Sequence, residues 1–405
     1  MDNVTHTLIG ALIGEGAARI ASPAVSERAA VIRRALFLGV MIVGSNLPDS
    51  DLVYSLGDDS KLSYLLEHRG HTHTVVGAIV GSVVMLGACA LGLRLRNRRL
   101  SSRDWIWLAA LALVAPLLHL AMDALNTYGV HPWWPIDNRW SYGDSVFIVE
   151  PLFWAAAAPL AFLFRSLLAR GLVVSCLLLA IYLAFATGIV AGGSIAAFCL
   201  LALAMLAIGR IARPGTAIIA ALTTCFAICA VFLVAHRQAI ARVYSDGASQ
   251  LAGWRTLDRV LTPLPMNPLC WEAILVQEQG DRYALRRALA SLVPDIRCPA
   301  RSIDRPVTAP LEPAEMPDTP YLRWHGQFTG SREQLRALAA SSCEVAALLR
   351  FARTPWFRES EPRIAGDLRY DREPEPGFAE IVLTRPPRCP AYVPPWVPPR
   401  LDLLG

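Results

Sequence analysis

The sequence predicts a mainly α protein: a polytopic transmembrane helical bundle of about eight helices followed by a soluble C-terminal α+β domain. Three observations predict it. The 405 residues are 54% hydrophobic and only 18% charged, a balance that excludes both an ordinary soluble enzyme and a disordered chain. The apolar residues are concentrated in the first 236 positions. Beyond them proline, arginine and glutamate become frequent, and no further apolar run reaches spanning length.

Taken in order, residues 3–14 and 35–48 are uncharged for less than a full span and reach one only with polar ends at the interface. Residues 72–93, 105–122 and 145–164 follow, the last with Glu150 near its start. Residues 171–209 carry no charge at all and are too long for one crossing, so Gly192 and Gly193 read as the turn between two helices. Residues 214–235 supply the eighth. Met1 and Asp2 give no basic start to a cleavable signal peptide. The chain divides into a first group of helices at 1–145, additional helices at 146–236 and a soluble domain at 237–405.

Arginines orient the bundle. Arg19, Arg28, Arg33 and Arg34, then Arg94, Arg96, Arg98, Arg99 and Arg103, then Arg165, Arg170, Arg210 and Arg213 fall in alternate loops, which the positive-inside rule places in the cytoplasm. The opposite loops hold Asp49, Asp51, Asp58, Asp59, Glu67, Asp137 and Asp144 against Lys61, Arg69 and Arg139. They face outward, together with the N-terminus and the C-terminal domain, in a bacterial inner membrane. The net charge of +5 then belongs to lipid-facing arginine loops, not to a nucleic-acid-binding face.

In the C-terminal domain, residues 331–351 place Leu335, Leu338, Val345, Leu348 and Leu349 at helical spacing, and residues 377–384 read as a strand. The tail 386–399 is proline-rich and extended. Cys89, Cys176, Cys199, Cys225 and Cys229 sit in spans as small apolar residues. Cys270, Cys298, Cys343 and Cys389 all fall outside them and allow two disulfides in any of three connectivities.

The histidines carry the chemistry. Six of eight, His6, His68, His71, His73, His119 and His131, lie in the first 131 residues, where ionisable side chains are expensive and therefore candidates for function. DNVTH opens the chain; NLPDSD presents Asp49 and Asp51 after the helix-breaking Pro48; HRGHTH runs from His68 to His73; HLAMD sets His119 and Asp123 at i and i+4 on one helix face. All four clusters fall at outward helix ends. Singly, each is equally a helix cap or a hydrogen-bonded interfacial residue. Together, imidazole and carboxylate suit a divalent metal, Zn²⁺ foremost with Mn²⁺ or Fe²⁺ as alternatives, in a centre of one to three ions. Such a centre activates water and clamps the oxygens of a phosphoester.

These four motifs, ordered over residues 1–129, resemble the YdjM family of membrane-bound, predicted metal-dependent hydrolases, with Thr74 where serine is usual. The opening T-H-x-x-I-G is also similar, over those few residues, to the start of zinc-dependent phospholipases C. The family resemblance implies metal ligation by His6, Asp49, Asp51, His68, His73, His119 and Asp123. Our reading makes His6, Asp51, His73, His119 and Asp123 direct ligands and Asp49 an ion bridge or a general base. Arg69 is a catalytic candidate for stabilising an anionic transition state, and Asp2 a helix cap. The aromatic loop 131–142 forms an interfacial belt or the wall of a lipid site. Arg369 and Tyr370 are candidates to approach a substrate. The expected function is hydrolysis of a phosphoester or ester at the outer membrane surface, on a small-molecule or lipid-linked substrate. The alternatives are a non-enzymatic metal-binding or transport protein, and a scaffold whose metal fixes helix packing.

Overall fold

The computed structural model describes residues 1–405 except 22–25, 58–60, 249–252, 295, 297, 300 and 302–303, so Asp58 and Asp59 lie outside the described residues. All eight apolar segments are helical: α1 (Asn3–Ile20), α2 (Glu27–Gly44), α4 (Val75–Leu95), α5 (Ser102–Asp123), the pair α6 (Pro151–Ala156) and α7 (Leu160–Leu163), α8 (Leu167–Thr187), α9 (Gly192–Ile211) and α10 (Pro214–Val243). The short α3 (Lys61–Glu67) lies between α2 and α4. Side-chain oxygens cap the starts: Asp2 accepts from the Thr5 N–H, Thr74 from Gly77 and Ser101 from Asp104.

Five of these helices, α4, α5, α8, α9 and α10, are long and apolar enough to cross a membrane; a sixth arises if α2 and the bent turn Pro48–Tyr54 count as one span. Two expectations change. The segment 145–164 forms no helix of spanning length but two short ones, and alanines 155 to 158 at their junction are fully buried within the bundle's apolar core. Glycines 192 and 193 do not make the turn; Gly188, left-handed at φ +64°, ends α8, and Gly192 begins α9. The rows that position the site pack closely. A Cβ on Gly14 would meet the α2 backbone at 2.9 Å, and one on Gly44 would meet the Ala115 side chain of α5 at 2.7 Å.

The C-terminal domain opens with an antiparallel meander, β1 (Arg255–Leu264), β2 (Asn267–Gln279), β3 (Arg282–Ser291) and β4 (Leu322–Ser331). The single helix expected over 331–351 is two, α11 (Arg332–Ser341) and α12 (Cys343–Leu348), because Ser342 is extended and caps the second. A second sheet, β5 (Pro355–Arg358), β6 (Ile364–Asp367) and β7 (Glu380–Val382), and the closing turn α13 (Leu401–Leu404) complete it. The cysteines pair as Cys270–Cys298 and Cys343–Cys389.

This domain docks on the end of the bundle where α1 begins and α5 finishes. Arg353 bonds Asp144 at 2.8 Å and Asp258 at 2.7 Å, Arg369 donates to the Thr127 carbonyl, and Trp396 donates to the Leu66 carbonyl. Leu62, Leu65, Leu66 and Tyr128 share one apolar core with β2, β3, α12 and β6. The aromatic loop is therefore divided: Trp133 and Ile136 stay exposed, as a belt requires, while Trp140 donates to the Arg350 carbonyl and packs on Phe351. Arg369 and Tyr370 are interior contacts of this interface: the Arg369 guanidinium bonds Asp367, and the Tyr370 ring packs on Phe351 and Tyr128.

Candidate metal centre

Each side chain of the site is delivered by a helix end. His6 lies in the first turns of α1, Asp49 and Asp51 in the 3-10 segment that Pro48 opens after α2, and His68 and Arg69 just past α3. His73 closes the short 3-10 turn His71–His73 before α4, and His119 and Asp123 share the last turn of α5.

Four atoms converge. The Nε2 atoms of His73 and His119 are 3.0 Å apart. Asp49 Oδ1 is 3.2 Å from the first and 3.5 Å from the second, and Asp123 Oδ2 is 3.4 Å from both. Their second contacts fix the protons. His119 Nδ1 is 2.7 Å from the Ser45 carbonyl, which only accepts, so Nδ1 carries the hydrogen and Nε2 is a bare lone pair. His73 Nδ1 faces Asp51 Oδ2 at 3.1 Å, which assigns it the same tautomer. In these neutral tautomers two imidazole lone pairs and two carboxylate oxygens face one another in a buried space.

The Arg69 guanidinium, 2.9 Å from Asp123 Oδ2, offsets one carboxylate, and a divalent cation among the four atoms would offset the remaining repulsion. Zinc-like bonds of about 2.0–2.2 Å in a tetrahedron place ligand atoms roughly 3.3–3.6 Å apart, close to the separations of 3.0–3.5 Å found. The residues present therefore fit a divalent ion. A second group, Asp49, Asp51 and His68, also brings ligand atoms within 4.8 Å of one another and shares Asp49 with the first.

The remaining candidates take supporting places. Asp51 Oδ2 accepts from the Arg69 N–H at 2.8 Å and the Thr72 hydroxyl at 2.9 Å as well as facing His73, which leaves only Oδ1, 3.0 Å from His68 Nδ1, for the second group. Toward the four-atom cluster it orients His73 and is not a ligand. His6 stands outside that cluster too: its ring stacks on His119 at 3.9 Å and its Nε2 is 3.2 Å from Asp123 Oδ1, the oxygen that the Met1 amine also contacts.

Arg69 is buried, its Nε 2.9 Å from Asp123 Oδ2, its Nη1 donating to Asn126 Oδ1 and its guanidinium over the Tyr128 ring. Held this way it positions Asp123 and faces no open space. Asp2 caps α1 as expected. His71 lies against Trp134 and Trp396, and His131 is sandwiched by Trp140 and Trp396, where burial holds its pKa down to about 3. Sequence reasoning missed Thr72, Asn126 and Ser45. The first two lie within or beside the motifs, but Ser45 acts through its carbonyl and leaves no signal in residue type.

The profile of the YdjM inner membrane protein family matches residues 1–239, all of the bundle down to the last turns of α10. The chain is also 28% identical over 140 residues to "Uncharacterized protein YfhP" of Bacillus subtilis (strain 168), a match covering 35% of this chain and 39% of that protein. No solved structure matches. With the family profile covering more than half of the chain and every motif of the buried His/Asp cluster, this protein belongs to the YdjM inner membrane protein family.

Proposed function

We propose that this protein is a metal-dependent hydrolase that cleaves a phosphoester, or an ester, at the outer face of the inner membrane. The observation that carries the reading is the convergence of four possible ligand atoms from His73, His119, Asp49 and Asp123. A divalent ion held there supplies Lewis acidity, lowering the pKa of a water and polarising a phosphoryl oxygen.

The chain's own residues do the rest. Asp51 and the Ser45 carbonyl fix the imidazole tautomers, which keeps both Nε2 atoms free to ligate. Arg69 and His6 hold Asp123. Asp49, shared by both ligand groups, is the carboxylate placed to take a proton from an attacking water. Multi-pass insertion with this end outward is supported by the arginine loops at the opposite helix ends and by two disulfides, which belong in an oxidising compartment.

One observation favours a second reading, an ion that only fixes helix packing: His73, His119 and Asp123 are all fully buried. Metal analysis of detergent-purified protein, combined with phosphoester and ester hydrolysis with and without chelator, separates the two. The hydrolase reading expects chelator-sensitive turnover that His119→Ala abolishes. Bound metal without turnover, with chelation lowering only the melting temperature, supports the packing role.

A further inference from the structure

A cavity of about 350 Å³ lies on the flank of α4, between that helix and the 3-10 segment Pro48–Gly57. Its length is apolar, walled by Leu47, Tyr54, Val76, Val80, Val84 and Trp134. Val76, Val80 and Val84 recur every fourth residue, so they share one face of α4 over about 12 Å. All three are exposed, on a helix with the length and composition of a membrane span.

The cavity's polar end is formed by Pro48, Ser50 and Thr72. Pro48 and Ser50 flank Asp49, and the Thr72 hydroxyl donates to Asp51, so this end reaches the outer layer of the ligand cluster. On another side, Tyr64, Tyr128 and Phe378 gather about His68 and Trp396 covers Gly70, while Trp396 also packs on His71, which itself lines the cavity. The C-terminal domain thus covers that side of the site, while the groove opens toward the lipid.

We propose that the substrate reaches the cluster sideways from the bilayer, with an apolar chain along Val76, Val80 and Val84 and its phosphoester head at the Asp49 end. The inference rests on the hydrolase reading and adds the substrate class: an anionic phosphoester carried on an acyl or prenyl-type chain. The cavity is near the lower bound for a small-molecule site of about 300 Å³. A partner helix about 10–12 Å across would fill roughly 900–1,400 Å³ along the same valine row, well beyond the volume of about 350 Å³. Only a slim chain suits walls that are apolar along their length and polar at one end.

Metal stripping tests this without an activity assay. Metal-loaded protein in detergent is exposed to a chelator, and release of the ion is followed with either dodecyl phosphate or inorganic phosphate present as protector. Dodecyl phosphate is expected to protect at a concentration about tenfold or more below that of inorganic phosphate. Val80→Trp and Val84→Trp fill the groove from lipid-exposed positions; each is expected to remove that advantage while leaving the starting metal content unchanged. Equal protection by the two phosphates, or an advantage retained in both variants, overturns the inference alone. A protein that binds no ion overturns the hydrolase reading and this inference with it.

Discussion

Asp51 shows how much of this site depends on groups that do not enter the four-atom cluster. Its Oδ2 takes three contacts, from Arg69, Thr72 and His73, and through the last of these it decides which nitrogen of His73 bears the proton. Asp51→Ala removes that acceptor outright, and losses at such positions run to roughly 10–100-fold in metal affinity. Metal content measured at limiting ion should therefore fall while helix content is unchanged; full occupancy at the wild-type affinity would count against the orienting role.

At the same scale, Glu380 of β7 provides a pH signature away from the bundle. Burial, and then the neighbouring Asp371, push its carboxyl up to about 8. A carboxyl raised in the folded state favours the protonated form, so its contribution is fully present below the ordinary value near 4.5 and is lost as pH rises through about 8. Glu380→Gln should melt like the wild type at low pH but above it in alkaline buffer. Parallel melting curves across the range would refute the assignment.

Among the elements, helix ends do the positioning. The last turn of α5 offers two ligands at i and i+4 because its side chains at that spacing lie on one face. The ends of α2 and α5 meet because Gly44 lets the two backbones approach. Docking of the C-terminal domain runs through Arg353, which joins Asp144 of the loop after α5 to Asp258 of β1. Burial opposes ionisation of Asp258, but Arg353 overrides it and holds the carboxyl below its usual range. Arg353→Ala takes the cation from the buried Asp144 and leaves Asp258 only Arg400, a loss of the kind that costs up to about 3–5 kcal/mol. Limited proteolysis should then release the C-terminal domain from the bundle faster; unchanged protection would mean that the apolar core shared with α3 suffices for docking.

At the scale of the whole molecule, the end of the bundle with the His/Asp cluster and the disulfide-bonded domain lie together, so one compartment serves both. The bridges close loops of 28 and 46 residues, each limiting the unfolded chain by about 3–4 kcal/mol in the chain-entropy account. Protein made in an oxidising envelope should resist thiol alkylation at Cys270, Cys298, Cys343 and Cys389 until reduced. A reporter active only in that compartment should signal when fused after Ala235. Cytoplasm-only signal together with four alkylable thiols would reverse the orientation.

The sequence by itself determined the class of the protein and most of its chemistry. Apolar run length is a local property, which is why every predicted apolar segment is helical, and i, i+4 spacing alone places His119 and Asp123 on one face. The cysteines allowed three connectivities, and only the fold selected one, since pairing depends on which chain ends meet. Whether an apolar segment crosses a bilayer or fills the bundle is likewise a tertiary matter: the alanines of α6 are as apolar as those of a span, yet packing buries them on all sides. Which of the seven candidates bring their possible ligand atoms together, four in one group and a second group sharing Asp49, with His6 in neither, was also decided by the fold. Residue type shows that a side chain has a lone pair; only the surrounding hydrogen bonds, such as Ser45 to His119, decide where that lone pair points.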